Sequence, residues 1–165
     1  MKEKSIQYQL IEALKKRKIT LAVAESLTGG LISAKICEVS GASQVFLEGI
    51  ISYSNESKIT RLGVDPSVLK KFSPVSEAVA MEMAEGVRSN LKADLGLSST
   101  GVAGPDPYDD WGNPRGLFYI GVSYKGQTRA QAYQIEGSRE YIREEAANQA
   151  LSVALSIISE EEKKS

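Results

Sequence analysis

Short, uninterrupted apolar runs alternate along this chain with segments of helical periodicity, and that alternation restricts the folds open to it. Residues 20–24 (TLAVA), 46–54 (FLEGIISYS) and 93–99 (ADLGLSS) read as strands. A strand without polar alternation is covered on both faces, the situation of a parallel sheet between helices. Ile6, Leu10, Ile11 and Leu14 mark a helix over 3–17, and Leu31, Ile32, Ile36 and Val39 mark another over 27–39. Asn55 is expected to cap a short helix carrying Lys58 and Leu62. Asp65-Pro66 starts a further local element, and Phe72-Ser73-Pro74 is a break. Ser76 opens a helix with Met83, Ala84 and Val87 that runs to about residue 92. Later, 117–124 and 128–135 read as a hairpin joined by Lys125-Gly126-Gln127. Ser138 then caps a last helix to about residue 159, with Ile142, Ala146, Leu151 and Leu155 inward and the tail EEEKKS frayed. The expected fold is a single α/β domain over residues 1–165: a three-layer αβα sandwich with a mixed, mostly parallel sheet and a late hairpin.

The chain contains no histidine, which excludes Ser-His-Asp and Cys-His catalysis and histidine metal sites. A base working near neutral pH must then come from Lys, Glu, Asp, Tyr or a metal-bound water. The single cysteine, Cys37, rules out an intrachain disulfide and a cysteine zinc cluster, and is expected in the core. A net charge of −1 supplies no general attraction to nucleic acid, and the run Lys15-Lys16-Arg17-Lys18 reads as a solvated helix end suited to the dipole. No long apolar span and no signal-like N-terminus is present, so a cytoplasmic protein without membrane partners is expected.

Ligands of open α/β sheets bind beyond the carboxyl ends of strands. Three loops fall there: 25–30 (ESLTGG), 53–58 (YSNESK) and 100–105 (TGVAGP). Whether they meet depends on strand order. In the first, Gly29 and Gly30 permit close backbone approach, and the helix start that follows offers N–H groups to an oxyanion or phosphate. Thr28 adds a hydroxyl. Ser26, on a strand-to-helix turn, suits a nucleophile, and Lys58 could act as its base if held neutral by burial. Tyr53 could relay a proton or hold Lys58. Arg139 and Arg143 could each bind phosphate. Each feature has an ordinary alternative: a capped helix, a surface lysine, a packing tyrosine, and arginines paired with Glu140 or Glu144.

Taken together, "AESLTGG", "GIISYSNESK", "STGVAGP" and "SREYIREEAANQAL", in this order, resemble the CinA C-terminal domain family over about residues 5–158. Its characterised enzymes are nicotinamide mononucleotide deamidases (PncC). The resemblance implies an αβα sandwich that hydrolyses the carboxamide of a pyridine mononucleotide to the acid and ammonia, with no metal, no cofactor and a Ser-Lys type of site. It makes Ser26 the nucleophile and Lys58 the base, with Tyr53 beside it. Thr28, Gly29, Gly30, Thr100, Gly101, Ala103 and Gly104 fall in the substrate-binding motifs, and Arg139 is the phosphate or ribose ligand, ahead of Arg143. Oxyanion stabilisation is expected from the N–H groups of residues 27–30, a donor typically contributing about 3 kcal/mol. A homo-oligomer in stand-alone form, without the fused second domain common in bacteria, is also implied.

Two departures stand out. Leu27 occupies a position where the family motif has Cys, and is expected to pack. After Pro105 the family continues with glycine, whereas this chain has Asp106-Pro107-Tyr108-Asp109-Asp110-Trp111, a bulkier and acidic loop. Trp111 is expected to cover the core, and Asp109-Asp110 alone is weak evidence for a metal. The competing function is a non-catalytic pyridine-nucleotide-binding module of the same fold. A DNA-uptake role lacks a basic stripe with interleaved aromatics.

Overall fold

The computed structural model describes residues 5–165; residues 3 and 4, expected to begin the first helix, lie outside that range. Five strands form one sheet in the order β2-β1-β3-β4-β5. They are β1 (Leu21–Glu25), β2 (Phe46–Ile51), β3 (Leu95–Gly101), β4 (Leu117–Tyr124) and β5 (Gln127–Gln134). β1 pairs in parallel with β2 and β3, while β4 pairs antiparallel with β3 and β5. Only β4 therefore runs against the others, and the mixed sheet with a late hairpin is as expected.

Alternation along β1 divides the core. Leu21 and Val23 face the cluster built with α1 (Ile6–Arg17), α2 (Leu31–Cys37) and α6 (Arg139–Lys164). Ala22 and Ala24 face the cluster built with α3 (Asn55–Leu62), α4 (Pro66–Phe72) and α5 (Glu77–Asn90). All five residues of β1 are buried, as its continuous apolar run requires. Glycines bring α5 unusually close to the sheet. A Cβ at Gly96 would lie 2.2 Å from Ala84 O, and one at Gly121 the same distance from Ala80 O. Ser98 Oγ donates to Ala80 O at 2.6 Å in the same contact.

Several local expectations are corrected. The segment 27–30 is a turn rather than the start of α2, because Gly29 and Gly30 adopt φ of +54° and +102°. Ser54, not Asn55, caps α3: its side chain accepts from Ser57 N. The hairpin turn is the two-residue Lys125-Gly126, with φ of 50° and 74°, the left-handed pair that matches strand twist. The C-terminal segment is helical to Lys164. Glu161 anchors it, accepting from Tyr124 Oη at 2.5 Å and pairing with Arg17 at 2.6 Å and with Lys125. Cys37, at the end of α2, is exposed rather than in the core. Trp111 is 53% exposed and covers no core. No helix of the described residues is long and apolar enough to cross a membrane.

Candidate active site

β1, β2 and β3 are adjacent and parallel, so the loops leaving their carboxyl ends converge. They enclose a cavity of about 330 Å³. Ser26, Leu27, Tyr53, Lys58 and residues 100–104 line it, and Arg139 reaches it from the first turn of α6. A larger hollow, about 510 Å³, lies between β4, β5 and α6. Of the two, only the smaller cavity brings Ser26 and Lys58 together.

Lys58 is 2% exposed. Its Nζ lies 3.0 Å from Ser26 Oγ, 2.9 Å from Ser52 O and 3.1 Å from Tyr53 O. No carboxylate pairs with it among the described residues. Burial without a counter-ion disfavours the ammonium and lowers its pKa from 10.5 to about 8. As a neutral amine, Lys58 has two N–H groups for the two carbonyls and one lone pair, which then faces the Ser26 hydroxyl.

The turn that presents Ser26 is held from below by Glu25, a fully buried carboxylate that the sequence motifs do not single out. Its Oε1 accepts from Thr28 Oγ1 at 2.7 Å, Gly30 N at 3.2 Å and Ile32 N at 2.9 Å. Its Oε2 accepts from Ser33 N at 3.0 Å and Ser33 Oγ at 2.7 Å. Gly29 N donates to Ser26 O, and Ser26 N to Ser99 O, both at 3.0 Å. Of the N–H groups of residues 27–30, those of Gly29 and Gly30 are thus occupied. Those of Leu27 and Thr28 have no partner among the described residues. Thr28, Gly29 and Gly30 brace the turn and do not line the cavity. A charged residue closing a buried strand, with hydroxyls three and eight residues on, was the available signal for Glu25.

Tyr53 touches Lys58 through its carbonyl, whereas its hydroxyl accepts from Arg139 Nη2 at 3.3 Å. Arg139 Nη1 also donates to Gly104 O. Thr100 lines the cavity, but its hydroxyl donates to Pro74 O at 2.7 Å. Neither arginine pairs with Glu140 or Glu144, and Glu144 takes Lys35 instead. Leu27 is buried, as a packing position requires.

The divergent loop forms the outer wall, with Asp106, Tyr108 and Asp109 on the cavity. Asp109 organises it: its carboxylate accepts from Trp111 N, Asn113 N and Asn113 Nδ2 at 2.8–2.9 Å. Asn113 Nδ2 also donates to Ser73 Oγ at 3.0 Å, tying the loop to the turn before α5. Among the described residues, no group of three or more metal-ligating side chains comes together.

An α/β sandwich with a buried serine–lysine pair at the carboxyl edge of its parallel strands is the class that fold and site define. The chain belongs to the CinA C-terminal domain family, whose profile matches residues 3–158. It is 46% identical over 149 residues to a CinA-like protein of Kosmotoga olearia, covering 90% of this chain and 36% of that protein. The chain thus spans about a third of the length of the curated relatives it matches. The fold is shared with a solved CinA superfamily protein of Klebsiella pneumoniae, at a TM-score of 0.90 and 28% identity, over 94% of this chain and 96% of that one. A competence/damage inducible protein from Agrobacterium tumefaciens gives a TM-score of 0.86 at 29% identity, covering 92% and 93% of the two chains.

Proposed function

We propose that this chain is an amide hydrolase in which Ser26 is the nucleophile and Lys58 its base, and that its substrate is nicotinamide mononucleotide. The observation that carries the reading is the contact of a counter-ion-free, buried Lys58 amine with Ser26 Oγ at 3.0 Å. Lys58 takes the Ser26 proton as Oγ bonds to the carboxamide carbon. The oxyanion lies against the free N–H group of Leu27. Lys58 returns the proton to the nitrogen, the C–N bond breaks and ammonia leaves an ester on Ser26. Water then attacks that ester, gives its proton to Lys58 and releases the acid, while Ser26 Oγ regains a proton from Lys58. Arg139, exposed beside Tyr53, is the residue placed to meet the phosphate.

The test is ammonia release from nicotinamide mononucleotide by the purified protein, beside Ser26→Ala and in the presence of a chelator. Release by the parent alone, indifferent to chelator, supports the reading. A folded parent that binds the nucleotide without releasing ammonia favours the binding module. Substantial turnover by Ser26→Ala overturns the nucleophile.

A further inference from the structure

The first two turns of α6 carry Arg139 and Arg143, either of which could bind an anion on sequence grounds, and the structure separates them. Arg139 lines the cavity, whereas Arg143 does not. Arg143 is half-buried, lies behind the Ser26 turn and donates through Nε to Leu27 O at 2.9 Å and through Nη2 to Thr28 O at 3.3 Å. It has no carboxylate partner among the described residues. The contact with the turn is close: a Cβ at Gly29, where φ is +54°, would stand 2.9 Å from Arg143 Nη2. A side chain at this position would strain the backbone and push the guanidinium aside.

By holding Leu27 O and Thr28 O, Arg143 fixes the peptides that follow Leu27 and Thr28. Leu27 lines the cavity beside Ser26 and its N–H has no partner among the described residues, whereas Thr28 is fully buried outside the cavity. We propose that Arg143 is a positioning residue for catalysis: its fork across Leu27 O and Thr28 O fixes the turn that presents Ser26 and the Leu27 N–H to the reacting carboxamide. The inference rests on Ser26 being the nucleophile. Arg143 touches no substrate, so it acts on the rate of attack and not on substrate affinity.

The test compares the parent with Arg143→Gln, Arg143→Lys and Arg139→Gln. It measures kcat and KM for ammonia release, and the rate at which a fluorophosphonate labels Ser26, read by mass spectrometry. Arg143→Gln is expected to lower kcat about a hundredfold, with KM within about threefold of the parent, and to slow labelling in parallel. Arg143→Lys, which keeps a cationic donor, recovers part of both, and it supplies the measurement if Arg143→Gln does not fold. Arg139→Gln raises KM instead. Parent-like kcat and labelling in both Arg143 variants would overturn the positioning role while leaving Ser26 as nucleophile. A rise in KM alone would make Arg143 a substrate ligand and overturn it too. A parent that neither turns over nor labels at Ser26 removes the nucleophile, and the inference with it.

Discussion

Two buried ionisable side chains contact the same turn, and they are treated in opposite ways. Glu25 closes β1 and is surrounded by donors, with Thr28 Oγ1, Gly30 N, Ile32 N, Ser33 N and Ser33 Oγ all directed at its carboxylate. Lys58 has two carbonyls and the Ser26 hydroxyl, and no opposite charge. A buried charge with all its lone pairs engaged is structural: it locks the turn in one geometry. A buried amine given only neutral acceptors is kept ready to lose its proton. In the proposed mechanism, one group holds the nucleophile still and the other removes its proton.

The sharpest way to break this contrast is at the pair itself. Ser26→Ala and Lys58→Met are each expected to lower ammonia release about a thousandfold or more, and the double variant to lose little beyond either single one. Additive losses would mean that the two side chains do not work as a unit. Next, Glu25→Gln puts an amide N–H₂ among donors, and is expected to cost about 2–3 kcal/mol in urea unfolding. Its activity should fall as well, although Glu25 lies outside the cavity. A variant of parental stability would show that the carboxylate is not what holds the turn.

Lys58 is predicted to act on stability in the other direction. Its folded pKa of about 8 lies below the unfolded 10.5, so the buried cation costs about 3 kcal/mol below pH 8. That cost fades as pH rises from 8 to 10.5, where the unfolded state also becomes neutral. Lys58→Met loses the bonds to Ser52 O and Tyr53 O, so its net gain at pH 7 is expected to be roughly 1–2 kcal/mol. The gain should shrink through that pH window, as read by urea unfolding of both proteins at several pH values. A variant less stable than the parent at pH 7 would contradict the desolvation argument. The smallest effect belongs to the outer wall. Asn113→Ala unties the loop from Ser73 and is expected to cost about 1 kcal/mol, with a change in KM larger than the change in kcat.

How much of this the sequence discloses depends on the range of the interaction. The three-layer sandwich follows from local patterns, because apolar runs and helical periodicity are written within each segment. The cap at Ser54 and the length of the Lys125-Gly126 turn each differ from the sequence pattern by a single residue, a scale at which neighbouring polar residues compete for the same cap or turn. The tail was expected to fray because nothing within it holds it; Glu161 is held by Arg17, Tyr124 and Lys125, all distant in sequence. Ser26 and Lys58 stood out as residue types on suggestive turns and through their motifs. Their juxtaposition depends on β1 lying between β2 and β3, which no local pattern specifies. Arg143 stays ambiguous in the sequence because its partners, Leu27 O and Thr28 O, are distant backbone atoms, and backbone groups carry no signature in sequence.

The most direct test of the account is the titration of Lys58 itself. With lysine labelled at ¹³Cε and the Lys58 signal assigned by its absence in Lys58→Met, chemical shift is followed from pH 6 to 11 alongside kcat/KM. The account predicts that Lys58 titrates near pH 8 and that the rate rises with the same inflection, because the neutral amine is the working form. A Lys58 that titrates at its ordinary 10.5, in a protein whose rate is already at its plateau at neutral pH, would contradict it.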